Sequence, residues 1–301
     1  MTRHLRTVDD LSAAELRAVL DRAVEIREMD RAGQAALLPT RTLAMLFQKP
    51  STRTRVSFET GMTELGGHAI FLGPDDTQLG RGEPLSDTAR TLSRYVDAVM
   101  ARLYDHREIE ELAAHADVPV VNGLTDDAHP CQALADLLTI REAFGGFEGV
   151  RAAWVGDGNN VAASFVVAAA LAGVEVTVAT PEAYALPESV VDRAESAGHR
   201  PETTTDPEAA VAGADVVYTD VWVSMGEEDQ RGEKLSAFDG FQVNEGLLAD
   251  TDAKVMHCLP AHRGEEITDA VLEGERSLVF DQAENRLHAQ KGLLDWLCNR
   301  A

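Results

Sequence analysis

Short apolar runs alternate with amphipathic stretches along the whole chain, the pattern of β-α units that feed parallel sheets. The runs predict strands at 43–47, 68–72, 97–101, 118–121, 152–155, 174–179, 215–219, 254–258 and 278–281. About nine strands are too many for one modest core, so the fold class is α/β with two lobes, each a mostly parallel sheet flanked by helices. Leu134, Leu137, Leu138 and Arg141 keep i, i+3, i+4, i+7 spacing and are followed by Gly145-Gly146, which predicts a linking helix over 134–145. The expected organisation is a first lobe over 1–133, a second over 134–281, and a terminal segment 282–301 that docks back on the first lobe. Leu287, Leu294 and Leu297 mark the helix of that last segment, and 223–236 reads as a long loop.

Length agrees with two lobes, since 301 residues is twice the usual domain of about 150. Charge narrows the function. Asp and Glu number 51 against 27 Lys and Arg, a net charge of −24, and only four of the cations are lysines. So acidic a chain is a poor binder of nucleic acid or anionic membrane, because phosphate neutralisation needs dense Lys and Arg. Any anion must be captured locally, against the global field. The acids are scattered, which reads as a solvated surface suited to high salt, where screening shortens self-repulsion to a few Å. The cysteines Cys131, Cys258 and Cys298 form an odd set without a CxxC pair, so neither a disulfide framework nor a zinc site is indicated and a reducing cytoplasm is expected. The N-terminus lacks an apolar signal core, and no stretch approaches the length of a membrane span.

Candidate chemistry begins where the strand at 43–47 runs into Pro50. Ser51-Thr52-Arg53-Thr54-Arg55 then precede a helical stripe of Phe58, Met62 and Leu65. Such a turn gathers free backbone N–H groups, hydroxyls and an Arg fork around one point, a cradle for phosphate or carboxylate at a helix N-terminus. The helix dipole contributes only ~0.3–2 kcal/mol, so Arg pairing carries much of the affinity. An ordinary N-cap with a surface Arg is the plainer alternative. His129-Pro130-Cys131-Gln132 opens the linking helix, where an imidazole and a carboxamide can both hydrogen-bond a polar acyl group. Arg102 follows the strand at 97–101, at the carboxyl end where parallel sheets bind ligands.

The stretch Gly156-Asp157-Gly158-Asn159-Asn160-Val161 imitates a dinucleotide fingerprint, but Val161 occupies the third glycine position and no acid ends the next strand. A nicotinamide cofactor is therefore disfavoured, and the two asparagines become either helix caps or contacts for a substrate's ammonium or carboxylate. Asp220 ends another strand and precedes Ser224-Met225-Gly226: the carboxylate suits a cationic amino group, the serine and the following amide a carboxylate. His257-Cys258-Leu259-Pro260 closes a further strand with a thiol that serves as nucleophile, amine contact or packing. Arg286 lies just past Phe280-Asp281, taken as another strand end, and would reach the anion from the second lobe.

In this order, STRTR at 51–55, HPCQ at 129–132, DVWVSMG at 220–226, HCLP at 257–260 and FDQAENR at 280–286 resemble the ornithine branch of the aspartate/ornithine carbamoyltransferase family. The stretches 78–95 and 155–160 agree, and the resemblance runs from about residue 40 to the C-terminus. It implies a carbamoyl-phosphate lobe and an ornithine lobe, with citrulline and phosphate as products in arginine synthesis or breakdown, and neither metal nor organic cofactor. By matching positions, Ser51, Thr52, Arg53, Thr54 and Arg102 bind the phosphate. The segment His129, Pro130, Cys131 and Gln132 holds the carbamoyl group, together with the carbonyls of Cys258 and Leu259 and the side chain of Arg286. Asn160, Asp220, Ser224 and Met225 bind ornithine. The catalytic set is Arg102, His129, Asp220 and Cys258. Family members assemble as homotrimers or multiples of them, with Gln78 reaching a neighbour's site. Alternatives of the same fold are a paralogue acting on N-acetylornithine, putrescine or aspartate, and a non-catalytic anion-binding relative.

Overall fold

The structure is a computed structural model and describes residues 2–78, 82–224 and 226–299. The chain divides into two compact units, residues 1–135 with 285–301, and residues 136–284.

In the first unit, α1 (Ala13–Glu28) and α2 (Arg31–Ala35) lead into β1 (Thr42–Phe47), α3 (Thr52–Glu64), β2 (His68–Leu72), α4 (Leu85–Leu92), β3 (Ala98–Arg102), α5 (His106–His115) and β4 (Val120–Leu124). Its sheet is parallel in the order β2-β1-β3-β4. Five of the six β1 residues and all of β3 are buried, as continuous apolar runs must be when helices cover both faces of a sheet. Strand order reverses between β1 and β3, and the crevice beyond the carboxyl ends of those two strands is where such a sheet takes a ligand.

The chain leaves this unit within α6 (Pro130–Phe144) and returns within α12 (Val279–Cys298). The unit between them contains β5 (Arg151–Val155), α7 (Asn160–Ala172), β6 (Glu175–Ala179), α8 (Glu188–Ala197), β7 (Glu202–Thr204), α9 (Pro207–Val211), β8 (Val216–Thr219), α10 (Arg231–Ala237), β9 (Lys254–His257) and α11 (Asp269–Leu272). Its parallel sheet runs β7-β6-β5-β8-β9, with the reversal between β5 and β8. Helix α7 is apolar almost throughout and buried from Val161 to Ala172, so periodicity alone does not distinguish it from a strand. Its ends do: Asn159 caps the start, and Gly173, at φ +86°, ends it in the left-handed conformation that glycine adopts without penalty.

Three expectations fail. Residues 278–281 are not a strand. Segment 276–278 makes one parallel bridge, Ser277 with Val255, and the chain then turns into α12, Leu278 O accepting from Gln282 N. The terminal helix thus starts at Val279 rather than near 282, and Asp281 sits in its first turn. Residues 223–236 are not all loop, since α10 occupies their second half. A strand at Glu202–Thr204 went unread because three polar residues on a sheet edge carry no apolar signal.

The C-terminal part of α12 packs within the first unit. A methyl group on Gly292 would come within 2.7 Å of Val19 O and 2.8 Å of Ala23 N, so the backbones of α12 and α1 touch there. Lys291 reaches Glu64 at 2.7 Å and Gln34 at 2.8 Å, and Arg22 pairs with Asp295 at 2.7 Å. Among the described residues, no helix is long and apolar enough to cross a membrane.

Candidate active site

Ser51 is the N-cap of α3. Its Oγ accepts from Thr54 N at 3.2 Å and donates to Thr54 Oγ1 at 3.1 Å, so the turn after β1 is set by its own hydroxyls. Thr54 is buried and receives Arg286 Nη2 at 3.1 Å, while Arg286 Nη1 donates to Gln132 Oε1 at 2.6 Å and lies 3.5 Å from His129 Nε2. Side chains from α3, the start of α6 and the middle of α12 thereby converge. Arg102, 5% exposed at the end of β3, belongs to the same cluster.

Burial holds the His129 imidazole well below its usual range, and the charges of Arg286, Arg102 and Arg53 push it further the same way. An imidazole kept neutral by burial and by three guanidinium groups is the electrostatic signature of an anion site, because the surrounding positive charge repels a proton. Within a chain of net charge −24, this is the local concentration of cations that anion binding demands.

Arg286 corrects an expectation. It does not arrive from the second lobe but belongs to the same unit as the cradle, and it is 4% exposed rather than on a helix surface. Cys131 is buried, donates its thiol to Asn122 O at 3.3 Å, and is pushed up to about 12 by desolvation, so its side chain packs and only its backbone faces the helix start. Thr52 is exposed and Arg53 half-buried in the first turn of α3, and Pro130 opens α6. Gln78 stands exposed on the connection after β2, its carbonyl accepting from Glu83 N.

A second cluster lies at the strand ends of the other unit. Asp220, directly after β8 and 6% exposed, accepts from Cys258 Sγ at 3.0 Å on one oxygen and from Asn159 Nδ2 at 2.9 Å on the other. Asn159 Oδ1 accepts from Val161 N and Ala162 N, so a single amide caps α7 and orients the carboxylate. Of the two asparagines that the sequence singles out, Asn159 touches Asp220, and Asn160, which the resemblance assigns to ornithine, forms the first turn of α7. Gly158, which only imitates a nucleotide turn, is required by the chain itself: its N–H donates to Tyr184 O, and a side chain there would meet Leu186 N at 2.7 Å.

Cys258 and Leu259 are held by His257, the first residue of their own motif, and by residues outside it. His257 Nε2 lies 3.0 Å from Glu266 Oε1, both side chains fully buried, and His257 Nδ1 accepts from Leu259 N at 2.9 Å. Accepting at Nδ1 leaves the ring proton on Nε2, facing Glu266. Leu259 adopts φ +57°, unusual for a residue with a side chain, and precedes a cis Pro260. Gln282 links the same strand end to α6 within this unit, its Oε1 accepting from His257 N and its Nε2 donating to Asp136 Oδ1. Only the helical phase of α12, had it been extended back to Val279, would have exposed Gln282. Ser224 donates its backbone N–H to Glu227 Oε2 at 3.1 Å, and Met225 lies outside the described residues.

Residues 3–142 match the carbamoyl-P binding domain of aspartate/ornithine carbamoyltransferases, and residues 148–297 match the Asp/Orn binding domain. The chain belongs to the aspartate/ornithine carbamoyltransferase family. Within this family it is 67% identical over 287 residues, 95% of each chain, to an ornithine carbamoyltransferase of Haloquadratum walsbyi. The solved ornithine carbamoyltransferase from Pyrococcus furiosus superposes with a TM-score of 0.92 at 52% identity, covering 97% of this chain and 96% of its own. That from Thermus thermophilus gives 0.89 at 45%, covering 99% of both. The cluster around His129 falls in the segment matched to the carbamoyl-P binding domain, and that around Asp220 in the segment matched to the Asp/Orn binding domain.

Proposed function

We propose that the protein transfers the carbamoyl group of carbamoyl phosphate to the side-chain amine of L-ornithine, giving L-citrulline and phosphate. The observation that carries this reading is the buried Arg286 fork on Thr54 and Gln132 beside His129, in a unit separate from an amine-type acidic site at Asp220. Ser51, Thr52, Arg53 and Thr54 take the phosphate. His129 and Gln132 hold the carbamoyl group with Arg286, and Arg102, His129 and Thr54 stabilise the charge that builds on its oxygen during attack.

Ornithine's side-chain amine, with a pKa near that of lysine at about 10.4, arrives protonated and must lose a proton before it attacks. Asp220 is positioned to hold the ammonium form, and the Asp220–Cys258 pair provides the local acceptor for its proton. The attacking nitrogen forms the new C–N bond, the C–O bond to phosphate breaks, and the cradle retains the leaving phosphate. Ser224 and Met225 take the amino acid's carboxylate, and Asn160 adds a polar contact at the start of α7. In the same reading the Cys258 and Leu259 carbonyls accept from the carbamoyl amide.

The same reading includes a homotrimer or a multiple of trimers in which Gln78 serves a neighbouring site, a cytoplasmic location, and a surface adapted to salt. The exposure of Gln78 and the charge of −24 support the first and last. The test is citrulline formation from ornithine, run beside N-acetylornithine, putrescine and aspartate as acceptors, from low to molar salt. Ornithine should be the preferred acceptor, with activity retained in molar salt; transfer to aspartate alone would defeat the assignment.

A further inference from the structure

Lys234 is 2% exposed, on α10, in a chain with only four lysines. A buried ammonium persists only with close anionic partners. Its Nζ donates to Asp157 Oδ2 at 2.7 Å and to Glu227 Oε2 at 2.6 Å, and lies 5.3 Å from the centre of the Tyr184 ring. Asp157 follows β5, two residues before the Asn159 that orients Asp220. Glu227 closes the substrate turn twice: its Oε2 accepts from Ser224 N, and its own N–H donates to Ser224 O at 3.1 Å. Burial pushes the Asp157 carboxyl up to about 6 in spite of Lys234, so the carboxylate pays a desolvation cost that the lysine offsets. The turn follows the buried Trp222 and Val223, and the Glu227–Lys234–Asp157 contacts tie its far end to the segment after β5.

We propose that Lys234 is a positioning residue for the acceptor amino acid: by bridging Glu227 to Asp157 it fixes where Ser224 stands relative to Asp220. Acceptor affinity then depends on an ion triad that need not touch the substrate. This rests on ornithine being the acceptor and on Ser224 reading its carboxylate.

The test uses the full-length enzyme and steady-state kinetics on Lys234→Met, Lys234→Arg and Glu227→Gln. Lys234→Met should raise the ornithine KM by about tenfold or more, because a displaced turn loses a substrate contact. The carbamoyl-phosphate KM, set in the other unit, should stay within about twofold. Lys234→Arg should recover most of the loss, since a guanidinium can still bridge two carboxylates. A purely structural role predicts a lower melting temperature with both KM values unchanged, and that result overturns the proposal, as does an equal rise in both. If Lys234→Met does not fold, Glu227→Gln carries the test, because it cuts the turn's tether and leaves the Asp157–Lys234 pair intact. Failure of the unaltered enzyme to form citrulline would instead remove the functional reading itself.

Discussion

Arg286 donates a 2.6 Å hydrogen bond to the Gln132 side chain across 154 positions of sequence, both groups buried. The bond preorganises the guanidinium: its Nη1 is held by the carboxamide and its Nη2 by Thr54, so the fork is already placed when an anion arrives.

Replacing Arg286 by Met should therefore raise the carbamoyl-phosphate dissociation constant by about 10- to 100-fold, the value of one or two charge-assisted hydrogen bonds. Titration calorimetry with carbamoyl phosphate or inorganic phosphate reads the change. Unaltered binding would mean that the fork serves only to join α12 to the cradle.

Arg53→Ala should weaken carbamoyl-phosphate binding and leave the melting temperature nearly unchanged, since the residue is half-buried in the first turn of α3. An unchanged Michaelis constant for carbamoyl phosphate removes Arg53 from the cradle.

The Cys258 thiol donates to Asp220, which suits a group that positions the amine rather than one that forms a covalent carbamoyl intermediate. Cys258→Ser should lower kcat by roughly 10- to 100-fold while the reaction still proceeds. Mass spectrometry of enzyme incubated with carbamoyl phosphate alone should show no carbamoyl-cysteine, and an adduct would overturn this mechanism.

His129 is held well below the ordinary imidazole value of 6.5 in the folded protein, so its neutral form contributes stability at neutral pH that is lost as pH falls. The loss begins as pH drops through the unfolded value near 6.5 and continues until the depressed folded value is reached, at up to about 1.4 kcal/mol per pH unit. Urea unfolding at pH 7 and pH 5 should show a smaller difference for His129→Gln than for the unaltered protein. An equal difference would show that other groups set the acid response.

The motif positions in this site were readable because each sits where a local pattern changes, from an apolar run to hydroxyls at Ser51, to a carboxylate at Asp220, to a thiol at Cys258. Residues that act through another residue were not readable in this way. Asn159 resembles a cap and is one, yet the other end of its amide holds Asp220; Glu266 is one of two adjacent acids in a polar stretch until folding buries it against His257. Segment 278–281 misled because a short apolar run fits either a strand or a helix face, and α12 hides polar residues, Gln282, Asn285 and Arg286, on its buried side.

Residue order alone determined the alternation of strands and helices, the local concentration of cations and hydroxyls at 51–55, and the family's motifs, since all of these are set by neighbours a few positions apart. Tertiary structure decided which unit owns Arg286, which asparagine meets Asp220, and that Lys234 is buried between two carboxylates. Those relationships join residues up to 232 positions apart, and they arise only when strand order and helix packing bring distant segments together.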